Sequence, residues 1–439
     1  MNPDDLITLT KDLVALNSIS GSKNETGAFN ENGVAEYIFS YATSHGLPTK
    51  YIEVPDGRRC VAVMLPGTSR QTIVIIAHHD TVGVEDYPSG TNPFEVRSDG
   101  TFLHGRGVAD MKSGIAVALG LLVDLRNEKL KTSILFISSP DEENESAGMR
   151  TAVQYLGNLK KKYKFNYIGA LNVDSLLEDE TQEKTKLAIL GGSVGKLLPC
   201  VYVEGRSAHV SAPYAGISAD FIGSMLVSEI ETNPRVGEKP SRNSVVPPPS
   251  LLKLSDFKTD YSVEIPLHFF AYFNYLVFET TPREVLQKLK IIAEKSLKKS
   301  IEINFSRYLT FQKSVHKPNE HRAWERNARV YTYEEVYETA LKNDPYLDQT
   351  IHTSTDTYAH LDLREKSAHI VQLVSKIARL QTPFVVLYFA PPYYPSSYNA
   401  NSPFIKTIKN VLQKYEGTSG FRFTYSGVSE GPEFRILVT

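Results

Sequence analysis

The sequence predicts an α/β protein: a three-layer sandwich around a mixed, largely parallel central sheet, with a ferredoxin-like second domain inserted. The prediction starts from three features. Residues 72–77, 132–138 and 167–173 are nearly continuous apolar runs, the pattern of strands buried on both faces. Segments with helical periodicity alternate with these runs, which argues for parallel strands joined by helices. After Gly191-Gly192 the texture changes to strand-helix-strand-strand-helix-strand, the order of a ferredoxin-like unit.

Pro3-Asp4 opens a first helix over 3–16, with Leu6, Leu9, Leu13 and Leu16 at helical spacing. A second helix is expected over 31–45, stopped near Gly46. Strands follow at 59–65 and 72–77, a helix rich in Ala, Leu and Val at 112–127, and strands at 132–138 and 167–173. In the inserted part the expected order is a strand at 197–204, a helix at 217–231, the loop Pro247-Pro248-Pro249 and strands at 250–256 and 264–278. A helix opened by Thr281-Pro282 and a strand at 301–308 complete it. The inserted domain is therefore expected to span 192–310. The helical pattern resumes near 325, and a buried strand at 384–389 is expected to return the chain to the first domain, made of 1–191 and 311–439.

A chain of 439 residues exceeds what one hydrophobic core usually supports, so two domains are expected. A net charge of -2 gives no basis for a nucleic-acid or membrane partner. The start lacks a basic and apolar leader pattern, and no run reaches the roughly 18 apolar residues of a membrane span. The cytoplasm is the expected location. Cys60 and Cys200 sit in apolar runs and read as buried thiols rather than a disulfide.

Five motifs carry chemistry. Ala77-His78-His79-Asp80-Thr81 ends a buried strand, where ligands often bind in open α/β sheets. An imidazole there can bind a metal, with an acid orienting the ring, or the histidines can decorate a surface turn. Gly105-Arg106-Gly107-Val108-Ala109-Asp110-Met111-Lys112-Ser113-Gly114 places Asp110 where a glycine-rich loop meets a helix. Its carboxylate can bridge two cations or simply cap the helix. Pro140-Asp141-Glu142-Glu143-Asn144-Glu145 crowds acids after a strand, which raises their proton affinity unless cations are near; the alternative is a solvated loop. Asn172-Val173-Asp174-Ser175 ends the next strand. His78, Asp110, Glu143 and Asp174 would then share one sheet edge, a donor set suited to zinc, with cobalt or manganese as alternatives. Gly205-Arg206-Ser207-Ala208-His209 lies in the inserted domain, where a single histidine is more often structural than catalytic.

In this order the motifs resemble the M20 family of dinuclear zinc peptidases and amidohydrolases. The stretch Leu13-Val14-Ala15-Leu16-Asn17-Ser18-Ile19-Ser20-Gly21 also looks like the family's first helix and loop. Within the family the chain looks most like the arginine utilization (arginine degradation) proteins of bacilli. The resemblance implies a phosphorylase/hydrolase-like catalytic domain that binds two zinc ions, and a lid domain that also serves dimerisation. It implies that His78 and Asp174 hold one zinc, that Asp110 bridges and that Glu143 binds the second. Asp80 would orient His78. Glu142 would be the general base, taking a proton from water and delivering it to the leaving amine. His209 would help to stabilise the tetrahedral intermediate, often across a homodimer. The implied substrate is a small peptide or an N-acyl amino acid.

The chain departs from the family in two places. The family supplies a last zinc ligand, a histidine near its C-terminus, but no histidine follows His369, and Ser429-Glu430-Gly431-Pro432-Glu433-Phe434 offers none. A truncated or degenerate member with an incomplete second zinc site is therefore an expectation, and a non-catalytic binding or auxiliary protein is the alternative function. No arginine stands near Asn274, where many members grip a substrate carboxylate. This, with an Asp rather than a Glu at 174, favours aminopeptidase or dipeptidase chemistry.

Overall fold

The computed structural model describes residues 1–85, 87–100, 102–174, 186–239, 246–315, 322–399, 402–419 and 422–426. The chain divides into two compact units, one formed mainly by Met1–Ser193 and Tyr398–Gly427, the other mainly by Val194–Ser397.

In the first unit, α1 (Pro3–Val14) is started by a capping box: Asn2 accepts from the Asp5 backbone, and Asp5 accepts from that of Asn2. Next come α2 (Glu31–Ser44), β1 (Thr49–Glu53), β2 (Arg59–Leu65), β3 (Gln71–His78), α3 (Ser113–Leu125), β4 (Ser133–Ser139), α4 (Ala147–Tyr163) and β5 (Asn166–Asn172). The sheet order is β1-β2-β4-β3-β5. β1, β2 and β4 pair antiparallel, whereas β3 pairs parallel with both β4 and β5, so the sheet is mixed as expected.

Period-two alternation sorts its side chains into two cores. Val61, Val63, Ile75, Ala77 and Phe136 pack under α1, α2 and α3, with Leu13, Ile38, Ile115 and Leu119. Cys60, Ala62, Val74, Ile76, Leu135 and Ile137 face the other way, against Ala152 and Leu156 of α4. Burial on both faces explains why β3 and β4 read as unbroken apolar runs. The unit also contains β6 (Lys186–Leu190).

The second unit begins with β7 (Gly195–Glu204), α5 (Ala219–Ile230), β8 (Ser250–Asp256), β9 (His268–Val277) and α6 (Pro282–Ser314). It continues with β10 (Arg329–Thr332), α7 (Tyr333–Asn343), α8 (Leu347–Thr355), α9 (Leu363–Ile377) and β11 (Phe384–Tyr394). Its sheet runs β8-β9-β7-β11-β10. β8, β9, β7 and β11 are antiparallel neighbours in the ferredoxin-like arrangement, and β10 adds a parallel edge.

Two sequence expectations are corrected here. Residues 301–308 are not a strand but part of the 33-residue α6. Ile301-Glu302-Ile303-Asn304-Phe305 alternates like a strand, but no Pro or Gly interrupts the helix after Pro282. The buried positions Leu289, Ala293, Ser296, Leu297 and Ser300 also keep the helical period. The fourth ferredoxin-like strand is instead β11, which pairs with β7 from Lys196↔Tyr394 to Glu204↔Phe384. Residues 311–397 therefore extend the second unit rather than returning to the first. The missing strand was legible as a buried run, but its partner was not.

After the second unit, α10 (Pro403–Ser419) and β12 (Arg422–Ser426) belong to the first, and β12 pairs parallel with β6. Cys60 and Cys200 are both buried free thiols, as expected. Among the described residues no helix is long and apolar enough to cross a membrane.

Candidate metal and catalytic site

The parallel pairing of β3 with β4 and β5 brings three strand ends to one edge: His78 stands opposite Ser139, and Ile76 opposite Asn172. His78 is the last residue of β3, the acidic loop follows β4, and Asp174 follows β5. The fourth contribution comes from the glycine-rich turn before α3. Gly107 has φ 81°, a left-handed conformation that glycine adopts at little cost. A side chain on Gly114 would come within 2.3 Å of the Val173 carbonyl oxygen, so its small size lets α3 start against the end of β5.

This geometry speaks against two of the alternatives left open by the sequence, the helix cap and the solvated loop. Asp110 is not a helix cap: α3 has Lys112 at its N-cap position and no side-chain cap. The Asp110 Oδ1 atom lies 2.8 Å from His78 Nε2. The acidic loop is not simply solvated, because Asp141 is fully buried and Glu142 and Glu143 are half-buried. One donor atom each from His78, Asp110 and Glu143 lie within 4.8 Å of one another. Asp174 Oδ2 is 3.9 Å from His78 Nε2.

Asp80 is fully buried beside them, its Oδ1 3.4 Å from His78 Nδ1. It also accepts the backbone N–H groups of Glu142 and Glu143, each at 3.1 Å. Asp80 thus ties the histidine strand to the acidic loop. His209 lies in the second unit, exposed, where its Nδ1 accepts the Ser211 backbone N–H. His352, His360 and His369 also belong to that unit. The segment 429–434, where the sequence offers no histidine, lies outside the described residues.

Burial pushes the Glu142 carboxyl up to about 7; His78 pulls it down, and Asp80, Asp174 and Asp110 push it up. Burial, then Asp110, pushes Glu143 up to about 8. Burial opposes a charge on His78, but hydrogen bonds to Asp110 and Asp80 hold the ring well above its usual value. For Asp80 burial also opposes the charge, and the contacts with His78 and the two backbone N–H groups bring its value down. One imidazole and several carboxylates that repel one another are a fitting donor set for a divalent cation, whose charge would relieve that repulsion.

Sequence reading missed the groups around the loop. Glu31 and Asp141 are fully buried and Arg58 nearly so, with Arg58 Nη1 2.6 Å from Asp141 and 3.3 Å from Glu31. Glu31 lies within a helix and gives no local signal; Arg58, just ahead of the buried β2, was the one available clue. Lys112, read as part of the motif, is fully buried and donates to the Leu16 carbonyl at 2.8 Å. Burial pushes its ammonium down to about 7.

Similarity to known proteins covers most of the chain. Protein RocB of Bacillus subtilis (strain 168) is 30% identical over 97% of this chain and 80% of RocB. The succinyl-diaminopimelate desuccinylase of Rickettsia canadensis (strain McKiel) is 28% identical over 47% of this chain and 52% of that enzyme. The solved structure of Bacillus subtilis YXEP, described as a dinuclear metal binding peptidase from the M20 family, shares the fold. Its TM-score is 0.53 at 14% identity, over 97% of this chain and 82% of that one. The model of peptidase family M20/M25/M40 matches residues 74–437, from the strand that ends in His78 onward, and on that match the chain belongs to this family.

Proposed function

We propose that this protein is a metal-dependent hydrolase of an amide bond in a small peptide or an N-acyl amino acid. The observation that carries the reading is the gathering of His78, Asp110 and Glu143 donor atoms within 4.8 Å of one another, with the half-buried carboxylate Glu142 next to Glu143 in the same loop. A carboxylate that is not itself a ligand but stands beside bound cations can take a proton from water and return it, which suits a general base that later acts as an acid. Divalent cations, when bound, supply polarisation of the scissile carbonyl and acidify water. His78, Asp110, Glu143 and Asp174 would hold them. Asp80 would fix the imidazole, and Glu142 would move the proton from water to the leaving amine. His209, in the second unit, is proposed to meet the tetrahedral intermediate.

Family membership, the desuccinylase relative and the peptidase fold support the reaction class. Zinc as the cation, a homodimer through a lid-like second unit and a cytoplasmic setting are finer parts of the proposal. So is an arginine-related substrate. They rest on the family resemblance and are checked by metal analysis, solution mass and a substrate panel.

The test is amine release from di- and tripeptides and N-acyl amino acids, with zinc, cobalt or manganese supplied. Glu142→Gln is expected to keep the bound cation and lose about 100-fold or more in kcat. His78→Ala is expected to lose both. Unchanged hydrolysis by Glu142→Ala would sink the base assignment. A cation-loaded wild type that cleaves nothing in the panel would favour a binding role instead.

A further inference from the structure

The acidic loop begins at Asp141, a non-glycine residue with φ 67°. Such a backbone conformation is uncommon away from glycine and persists where the surroundings hold it. The Asp141 backbone N–H donates to Glu31 Oε1 at 3.1 Å. Its carboxylate accepts from the Ala147 backbone at 3.0 Å and from Ser20 Oγ at 3.3 Å, and it pairs with Arg58 at 2.6 Å. The second oxygen of Glu31 accepts from the Gly21 backbone at 3.3 Å. Arg58 also grips Asp56 through Nη2 at 2.6 Å and lies 5.0 Å from the centre of the Phe29 ring. One guanidinium therefore joins the loop after α1, the start of α2, the turn before β2 and the loop after β4. The next two residues of that loop, Glu142 and Glu143, hang by their backbones on Asp80.

We propose that Arg58, acting with Glu31 and Asp141, is a positioning network that sets where Glu142 and Glu143 stand. This rests on the reading of the site given above. None of the three need touch a cation or substrate. Without the guanidinium, two fully buried carboxylates lose their countercharge, and a buried charge left unpaired forces the chain to move or take up protons. The segment free to move is the loop itself, and a shift of about 1 Å at a reacting group costs roughly 100-fold. Lysine cannot replace the fork that reaches Asp56, Glu31 and Asp141 together.

The test measures Co²⁺ affinity by absorption titration alongside steady-state kinetics, in the full chain. Arg58→Met is expected to bind Co²⁺ about 10-fold more weakly and to lose about 100-fold in kcat, with KM changed less than about threefold. Arg58→Lys recovers only part of either. If Arg58→Met does not fold, Glu31→Gln decides: its amide N–H₂ must face one of two backbone donors, and it is expected to weaken Co²⁺ about fivefold. Leu122→Ala, a core change in α3 that also lowers Tm, controls for stability and is expected to keep Co²⁺ affinity within about twofold. Wild-type affinity in Arg58→Met, or in Glu31→Gln if that must serve, overturns the inference. An equal loss in Leu122→Ala does so as well, because instability alone would then explain the result. A wild type that binds Co²⁺ but hydrolyses nothing counts against the hydrolase reading alone, and the affinities still decide the positioning role. A wild type that binds no cation overturns both.

Discussion

At His78 one imidazole meets Asp110 on one nitrogen and Asp80 on the other, and the ring is only 2% exposed. Charged partners on both sides fix its orientation, as a metal-binding histidine requires. Elsewhere a buried carboxylate does purely structural work by the same physics. Glu238 is 7% exposed and accepts the backbone N–H groups of Phe278, Glu279 and Thr280 at 2.8, 2.9 and 3.0 Å. Burial opposes its charge, but the three donors prevail and its value is lowered. A carboxylate whose folded value lies below its unfolded one contributes stability above the unfolded value, and that contribution is lost as pH falls through the folded one. Glu238→Gln is therefore expected to cost about 1–3 kcal/mol at neutral pH, with the gap closing in acid. Urea midpoints at the two pH values check this, and a gap that stays constant would contradict it.

The elements differ in how plainly their boundaries were written. Capping boxes at Thr281–Glu284 and Thr332–Glu335 start α6 and α7, the first at the Thr281-Pro282 that the sequence marks. The end of α6 carries no comparable mark, and alternation at 301–305 imitates a strand. Ser300 discriminates between the two: it is fully buried mid-helix and its Oγ donates to the Ser296 carbonyl at 2.8 Å. Ser300→Pro is expected to cost about 3 kcal/mol or more, because proline removes a helical hydrogen bond and clashes with the preceding turn. Proline at the first residue of a strand would instead be tolerated. A far-UV spectrum and urea midpoint like those of wild type would restore the strand reading.

At the scale of the whole molecule, the second unit takes its fourth ferredoxin-like strand, Phe384–Tyr394, from far down the chain, long after α6 has ended at Ser314. A fragment spanning 194–397 carries all five strands of that sheet and is expected to unfold in one cooperative transition. A fragment spanning 192–310 lacks β10 and β11, leaving β7 with an uncovered edge, and is expected to aggregate or stay unfolded. Circular dichroism during urea titration separates these outcomes. A folded 192–310 fragment would show that the extra strands are dispensable.

The sequence alone determined the nature of each layer and marked His78, Asp110, Glu143 and Asp174, which the fold brings near one another. Strands buried on both faces must be apolar throughout, so β3 and β4 announced themselves, whereas β5, also an apolar run in sequence, is a partly buried edge strand. The acids and histidine at or just past these strand ends stood out against that background. Local patterns record what a residue needs from its immediate neighbours. They do not record which distant strand satisfies an open edge, so the partnership of β7 and β11 was decided only in three dimensions. The same holds for Asp110, where the sequence offers a helix cap and only the fold brings the carboxylate against His78 instead. It holds also for Glu31, Arg58 and Asp141, distant in sequence, which only folding brings into contact with one another in the interior.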